Sequence, residues 1–290
     1  MRNRKITYIS IIILFIISLI LAGIIWHGKN QELKIIFLDV GQGDATLIMQ
    51  GSKQILIDGG PSGQILMEKL GRYVPFWDRE IEMVIATHPD QDHIEGLLAV
   101  MKNYRVDALL ETTVQSESQL YQKYEELITQ KQIQKVSASV GMRIKLDQAE
   151  MEILSPSSVV PTSIVKDTNA YSILIKLVFG QESFLFAGDL PDSEERKLLQ
   201  NNSNLEATIL KVAHHGSKYA STNEFLEKVH PRSAIISVGK NNRFGHPTTE
   251  TLDRLQANKI NIFRTDEIGD ILYECQKPST VANQCQLIAN

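Results

Sequence analysis

Cysteine is scarce in this sequence of 290 residues, which contains only Cys275 and Cys285. The two lack the CxxC spacing of cysteine-based zinc sites, so they are poorly placed to be metal ligands. In an extracellular domain they could form a disulfide, and the alternative is a pair of free thiols. Because residues 1–30 contain no cysteine, a lipid-modified N-terminal cysteine is excluded.

Internal repeats, low-complexity segments and an excess of basic residues are also absent. The first two absences argue against solenoid or propeller architectures and against extensive disorder. The formal net charge is −4, and residues 1–30 contribute four basic groups and no acid, which leaves −8 on the rest of the chain. An acidic domain does not hold nucleic acid by bulk charge. Local groups and metal ions must therefore bind any phosphate substrate.

The first 31 residues differ from the rest of the chain. Residues 6–26 form a run of 21 residues without a charged side chain, and a helix of that length spans about 30 Å, the thickness of a bilayer core. Arg2, Arg4 and Lys5 precede the run, and positive charge beside a first span favours the cytoplasmic side. We therefore expect residues 1–31 to be a cytoplasmic tip, a single-pass membrane anchor and a linker.

The domain that follows the anchor is then expected outside the membrane. The alternative is a cleaved signal peptide, which would give a secreted protein. The apolar region of a signal peptide usually has only about 7–15 residues, so the longer run favours the uncleaved anchor.

Residues 32–290 alternate short apolar runs with amphipathic stretches, which predicts one layered α/β domain without an internal linker. Strands are predicted over residues 33–38, 45–49, 54–57, 83–87, three short stretches of 135–154, 171–179, 182–187, 207–212, 234–238, 260–263 and 270–274. Helices are predicted over residues 65–73, 94–102, 119–132, 192–200, 222–229 and 248–257.

Four potential metal ligands lie within six residues, directly after an apolar strand and before a helix: His88, Asp90, Asp92 and His93. A turn at the carboxyl end of a strand allows alternate side chains to converge on one point. Imidazoles and carboxylates are ligands for Zn²⁺, Mn²⁺ or iron. An acidic surface turn is the alternative, but two histidines and two aspartates in this register favour a metal site.

Two further groups fit the same site. Asp189 follows a very apolar strand, where its alternative role is to cap the next helix. His214 and His215 follow another strand. Together with His88 and His93, four of the seven histidines therefore fall in the three groups. This predicts that the three segments meet at one site.

The order His-x-Asp-x-Asp-His, Gly-Asp and His-His-Gly-Ser resembles that of the metallo-β-lactamase fold hydrolases. Further motifs narrow the resemblance to the extracytoplasmic hydrolase domain of the ComEC competence family: FLDVGQGDA at 37–45, IDGG at 57–60, NAYS at 169–172, GHP at 245–247 and RTD at 264–266. The similarity covers about residues 33–275. The chain has one candidate membrane span, so it resembles that domain as a stand-alone protein. Such a protein is not expected to conduct DNA across a membrane by itself.

The resemblance implies a four-layered αβ/βα sandwich with two divalent metal ions, Zn²⁺ or Mn²⁺, at the ends of the sheets. His88 and Asp90 would bind one ion, and Asp92 and His93 the other. Asp189 would bridge the ions, and either His214 or His215 would complete the second site.

Two departures from the superfamily are shared with ComEC-like proteins. Most members have histidine where Asp90 stands, and the usual histidine of the third motif is missing, with Asn169 and Ser172 in its region. The first site is then richer in oxygen, which weakens the case for zinc and leaves manganese open.

The resemblance also implies hydrolysis by a metal-activated hydroxide, with Asp92 orienting the nucleophile. Candidates to hold a phosphate or protonate the leaving group are Lys211, Ser217, Lys218 and His246. His215 is a further catalytic candidate, because one of His214 and His215 would contact the substrate. For the two lysines the alternative is plain solvent exposure. Supporting hydrogen bonds to turns and ligands are expected from Asp39, Gln42, Asp44 and Asp58.

The expected function is a phosphodiesterase or nuclease, linked to DNA uptake or DNA degradation and using no nucleotide cofactor. One alternative is a hydrolase of another ester or amide, such as a lactone, a β-lactam or a phosphocholine ester. Another is a metal-bound binding module without turnover. The fold cannot decide among them, because the substrate depends on the site.

Overall fold

The structure is a computed structural model that describes residues 2–29, 32–156, 162–201, 203–276 and 285–288. Within these ranges the strands are β1 Leu33–Phe37, β2 Thr46–Gln50, β3 Lys53–Ile57, β4 Glu80–Ala86, β5 Arg105–Glu111, β6 Gln134–Ser137, β7 Arg143–Leu146, β8 Ala149–Ser155, β9 Leu174–Phe179, β10 Glu182–Phe186, β11 Ile209–Lys211, β12 Ser233–Ile236, β13 Asn261–Arg264, β14 Ile271–Cys275 and β15 Cys285–Ile288. The helices are α1 Arg2–Lys29, α2 Gly63–Tyr73, α3 Gln91–Ile94, α4 Leu97–Asn103, α5 Gln119–Lys131, α6 Asp192–Gln200, α7 Asn223–Val229, α8 Thr249–Ala257 and α9 Thr265–Ile268.

The strands form two sheets. The first has the order β15-β14-β1-β2-β3-β4-β5-β6, and the second has the order β13-β12-β11-β10-β9-β8-β7. Strands β3 to β6 pair in parallel, as do β10 to β13. The carboxyl ends of neighbouring parallel strands meet at one edge of a sheet, which brings the loops after them together.

Three apolar layers hold the domain together. In β1, Leu33 and Phe37 pack between the sheets, whereas Ile36 faces α2, α4 and α5, because side chains alternate along a strand. A third layer fills the space between the second sheet and helices α6, α7 and α8. The expected four-layered αβ/βα sandwich is therefore observed.

Helix α1 precedes the sandwich. Among the residues that the structure describes, no helix combines the length and the apolar character that crossing a bilayer requires. The membrane anchor expected over residues 6–26 is therefore not confirmed. At the other end of the chain, a disulfide joins Cys275 of β14 to Cys285 of β15.

Several local expectations differ from the structure. Strand β15 and helix α9 were not expected, and the strand expected over residues 171–179 begins only at Leu174. The single helix expected over residues 94–102 is divided into α3 and α4 at Glu95–Gly96. Strand β5 was not expected, yet it lies inside the first sheet between β4 and β6.

Candidate metal centre

The potential ligands converge because each follows a strand whose carboxyl end faces the same edge of the sandwich. His88, Asp90 and Asp92 follow β4, Asp189 follows β10, and His215 follows β11. The loop after β4 is also the start of α3, for which Asp90 is the N-cap residue. The three segments that were expected to meet do so in the structure.

Close backbone contacts fix α3 against the neighbouring turns. A Cβ atom on Gly43, which has φ +146°, would lie 2.3 Å from the carbonyl oxygen of Asp92. A Cβ atom on Gly96 would lie 1.9 Å from the carbonyl oxygen of Gly59. Only glycine permits these approaches, and they set the position of the ligands on α3.

The ring of His93 is oriented by Asp58, a buried residue in the left-handed region at φ +57°. The Oδ2 atom of Asp58 lies 2.8 Å from Nδ1 of His93. The same carboxylate accepts hydrogen bonds from the amide and the hydroxyl of Thr87, both at 2.8 Å. A carboxylate on Nδ1 directs Nε2 toward the centre, which is the usual support for a metal-binding histidine.

His88 is oriented by two hydroxyl groups. Its Nδ1 atom lies 3.1 Å from Oγ1 of Thr87 and 3.4 Å from Oγ of Ser172. Because Thr87 donates its proton to Asp58, its oxygen is free to accept from Nδ1 of His88. Ser172, from the region that lacks the usual third-motif histidine, also accepts a hydrogen bond from the amide of Asp189 at 3.2 Å.

His215 is oriented from its Nδ1 side, which lies 2.9 Å from the carbonyl oxygen of Ser237 and 3.2 Å from Oδ1 of Asp44. The Nζ atom of Lys211 lies 2.7 Å from Oδ2 of Asp44, and the lysine side chain is only 2% exposed. This placement corrects the expectation that Lys211 meets a phosphate. Lys211 is too deeply buried, and it supports Asp44 behind His215.

Asp189 stands between two groups of ligands. Its Oδ1 atom lies 3.3 Å from Nε2 of His93 and 3.7 Å from Nε2 of His215. Its Oδ2 atom lies 3.9 Å from Nε2 of His88 and 3.7 Å from Nε2 of His214. The two histidines left open by the sequence therefore face different oxygens of one carboxylate.

Asp90 and Asp92 add one carboxylate to each group. Asp90 Oδ2 lies 3.8 Å from Nε2 of His88, and Asp92 Oδ2 lies 3.4 Å from Nε2 of His215. Thr168, which the sequence patterns did not single out, donates its hydroxyl hydrogen to Asp90. A motif in sequence could not reveal this contact, because the two residues meet only in the folded chain.

The donor atoms fit a divalent cation. The Nε2 atoms of His88, His93 and His215 and Oδ1 of Asp189 are buried, and they have no hydrogen-bond partner among the described residues. Ligand atoms of His88, His93 and Asp189 lie within 4.8 Å of one another, as do those of Asp92, His93 and His215. Buried polar atoms without partners are strongly destabilising, whereas imidazole and carboxylate donors at this spacing can coordinate a metal ion.

The charges of the centre are strongly coupled. Burial alone would lower the pKa of His93, but Asp189 and Asp58 outweigh it and hold that pKa well above its ordinary value. Carboxylates likewise raise the pKa of His215 to about 10 against the effect of burial. Burial lowers the pKa of His88, and the positive charge of His93 lowers it further. The carboxylates thus favour positive charge here, and a bound cation would provide it.

His246 lies at the edge of the centre, with its ring centroid 5.6 Å from that of His214. Burial and the neighbouring His214 lower the pKa of His246 to about 4, so its ring is neutral near pH 7. The structure thus brings His246 beside the ligands, although it is separate from the groups around Asp189.

Comparison with known proteins agrees with this fold. Residues 38–240 match the model of the metallo-β-lactamase superfamily. The chain is 30% identical to ComE operon protein 3 of Bacillus subtilis, over 86% of this chain and 34% of the relative. It is 27% identical to competence protein ComA of Neisseria gonorrhoeae, over 88% of this chain and 35% of the relative. The chain spans about a third of the length of these relatives.

Among solved structures, the metallo-β-lactamase fold protein YhfI of Bacillus subtilis aligns with a TM-score of 0.55 and 12% identity. The alignment covers 83% of this chain and 99% of YhfI. At this identity the likeness supports the fold alone.

The sandwich and its histidine–aspartate centre define a metal-dependent hydrolase. The chain belongs to the metallo-β-lactamase superfamily. Within that superfamily it is related to competence proteins of the ComEC family.

Proposed function

We propose that the chain is a phosphodiesterase, acting as a nuclease on DNA outside the membrane in DNA uptake or DNA degradation. The observation that carries the proposal is the position of Asp189, whose two carboxylate oxygens face different groups of ligands. A carboxylate shared in this way suits a pair of divalent ions. Paired ions are common in phosphatases and nucleases, where they act on both the attacking and the leaving oxygen.

The residues of this chain would hold two ions, Zn²⁺ or Mn²⁺. The first group is His88, Asp90 and Asp189, with His214 beside it, and the second is Asp92, His93, His215 and Asp189. When bound, such ions supply Lewis acidity and lower the pKa of water. The many oxygen ligands favour harder ions such as Mn²⁺ over a purely nitrogen-bound zinc.

The protein groups around the ions have separate tasks in this proposal. Asp92 has a lowered pKa, because His215 and His93 outweigh its burial, so it is ionised and can hold a reacting water molecule by hydrogen bonding. His246, neutral near pH 7 and half-buried beside His214, can form a hydrogen bond to a phosphate oxygen or to the leaving group. Lys211 and Asp44 keep His215 in position from behind.

The location outside the membrane is part of the proposal. It is supported by the charge-free run of residues 6–26 after Arg2, Arg4 and Lys5. A disulfide between Cys275 and Cys285 also favours an oxidising compartment. Similarity to a competence protein supports a role with DNA.

The test is hydrolysis by the purified chain with Mn²⁺ or Zn²⁺. The substrates are single- and double-stranded DNA, bis-p-nitrophenyl phosphate, a lactone, a phosphocholine ester and a chromogenic β-lactam. Metal-dependent cleavage of DNA that is lost in Asp92→Ala would support the proposal. Turnover of only the lactone, lactam or phosphocholine ester would refute it, and tight metal binding without any turnover would favour a binding module.

A further inference from the structure

A cavity of about 550 Å³ opens beside the metal centre. Asp90 and Asp92 lie along it together with Asn242, Arg243 and Phe244 from the loop after β12. The volume is within the range of small-molecule sites, which is about 300–1,000 Å³. A ligand here would reach the carboxylates of the metal centre and the side chains of this loop at the same time.

The loop that carries Arg243 and Phe244 is held by the side chain of Asn242. Its Nδ2 atom donates to the carbonyl oxygens of Gly239 at 3.0 Å and His246 at 2.6 Å. Its Oδ1 atom accepts from the amides of Phe244 and His246, both at 3.1 Å. These four hydrogen bonds hold the loop in one conformation, so it presents its side chains without a large ordering penalty.

The two side chains on this loop are exposed although one is a large aromatic ring. Phe244 is 53% exposed, and the guanidinium carbon of Arg243 lies 5.0 Å from the centroid of its ring. No carboxylate in the described part of the chain pairs with Arg243. An exposed aromatic ring beside a guanidinium without a carboxylate partner suits a ligand with a flat face and a negative charge.

The ring of Phe244 is also linked to the metal centre by a line of rings. Its centroid is 6.0 Å from that of His246, with the planes inclined by 25°, and His246 is 5.6 Å from His214. A flat group placed on Phe244 would therefore continue this line away from the ligands. Its attached charged group would then lie in the cavity that Arg243 and Asp90 both line.

We propose that this cavity binds one nucleotide of a single-stranded nucleic acid, with its base stacked on Phe244 and a flanking phosphate held by Arg243. The proposal rests on the phosphodiesterase function proposed above and names its substrate class. Aromatic rings stack on bases of any sequence, and arginine matches phosphate geometry with two parallel hydrogen bonds. In a duplex the bases are already stacked on one another, so Phe244 would not reach a base face without extrusion.

The experiment compares oligothymidylate with an abasic strand of equal length, using the full chain with Mn²⁺ or Zn²⁺. Phe244→Leu should lower kcat/KM for oligothymidylate by about 10-fold or more and leave the abasic strand within about 2-fold, because only the stacking contact is lost. Arg243→Gln should raise KM for both strands, and Arg243→Lys should restore part of the loss. The wild-type chain should cleave a single strand faster than a duplex of the same sequence.

The matched control is Phe76→Leu, which changes another exposed phenylalanine (79% exposed) in the turn before β4, at the opposite end of that strand from the ligands. It should leave both strands unaffected. Equal losses on both strands in Phe244→Leu, no loss on either, or equal cleavage of the duplex would overturn the inference while leaving the phosphodiesterase function intact.

If the wild-type chain cleaves neither strand, the proposed function fails and binding decides the inference separately. Fluorescence anisotropy of the same labelled strands, with the metal-loaded chain, is then the readout. Tighter binding of oligothymidylate than of the abasic strand, lost in Phe244→Leu, would support the stacking site. Equal binding of the two strands by the wild-type chain would overturn it.

Discussion

The Nδ1 atom of His93 lies 2.8 Å from Oδ2 of Asp58, on the opposite side of the ring from Asp189. The contact joins the turn after β3 to the metal centre, and Asp58 also binds the amide and hydroxyl of Thr87. The hydroxyl of Thr87 also contacts Nδ1 of His88, so Asp58 helps to orient His88 as well. Asp58 therefore supports two of the candidate metal ligands without facing the centre itself.

Replacing Asp58 by asparagine should weaken metal binding by about 10–100-fold, as is usual when a group that supports a metal-binding histidine is lost. Both oxygens of Asp58 accept hydrogen bonds, whereas Asn has only one oxygen. Whichever way the amide is turned, its NH2 group therefore faces a donor of Thr87 or Nδ1 of His93, and the negative charge beside His93 is lost. Titration calorimetry with Mn²⁺ and Zn²⁺ measures the change. Asp147→Asn is the control, because that side chain is 43% exposed and bonds only to Lys53 among the described residues. Unchanged affinity in Asp58→Asn would mean that the contact does not orient His93.

Lys211→Met should lower the free energy of unfolding by about 3–5 kcal/mol, because it leaves Asp44 buried without its cation. The control is Lys53→Met, which breaks an exposed pair of the same length, 2.7 Å, and should cost less than about 1 kcal/mol. Urea unfolding at neutral pH measures both. A similar small loss in both variants would refute a structural role for the buried pair, and the double variant Lys211→Met with Asp44→Leu should recover much of the loss.

The position of Lys211 could have been derived from the strand that contains it. In β11, Ile209 packs between the sheets, whereas Leu210 packs toward the helices. Alternation along the strand then directs Lys211 to the same side as Ile209, into the interior. Proximity to His214 in sequence suggested a substrate contact instead. The four candidate ligands from His88 to His93 were easier to predict, because a single turn contains all of them.

Other features depend on tertiary structure. Strand β5 contains Ala108, Leu109, Leu110 and Glu111, residue types that favour helices, and only its burial between β4 and β6 makes it a strand. One partner of His215 is the backbone carbonyl of Ser237, which no pattern of residue types can reveal.

Glu195 should make stability depend on pH. It is buried and accepts hydrogen bonds from Ser221 and Thr222, yet burial outweighs them and raises its pKa above the ordinary 4.5. The folded chain then binds the proton more tightly than the unfolded chain does. The contribution of Glu195 is therefore fully present below about 4.5 and declines as pH rises through the folded-state pKa.

Urea unfolding of the wild-type chain and Glu195→Gln across this range tests the sign. Gln resembles the protonated acid, so the stability of the wild type relative to the variant should fall as pH rises. Glu250→Gln, at an exposed position in α8, should show no such trend. A relative stability that rises with pH would mean that hydrogen bonds to Glu195 outweigh its burial.

Asp90→His tests why the first group of ligands is rich in oxygen. Asp90 is 42% exposed and lies beside the cavity, so an imidazole has room there. Adding nitrogen in place of a carboxylate should raise the preference for Zn²⁺ over Mn²⁺ by about an order of magnitude, since imidazole suits zinc and carboxylate suits manganese. Competition with a chromogenic chelator measures Zn²⁺, and electron paramagnetic resonance measures free Mn²⁺.

Asp90→Asn is the control for this prediction. It keeps an oxygen donor but removes the charge, so it should lower the affinity for both metals without changing the ratio of the two affinities. If Asp90→His also leaves the ratio unchanged, Asp90 is not a ligand, and its hydrogen bond from Thr168 would be its main role.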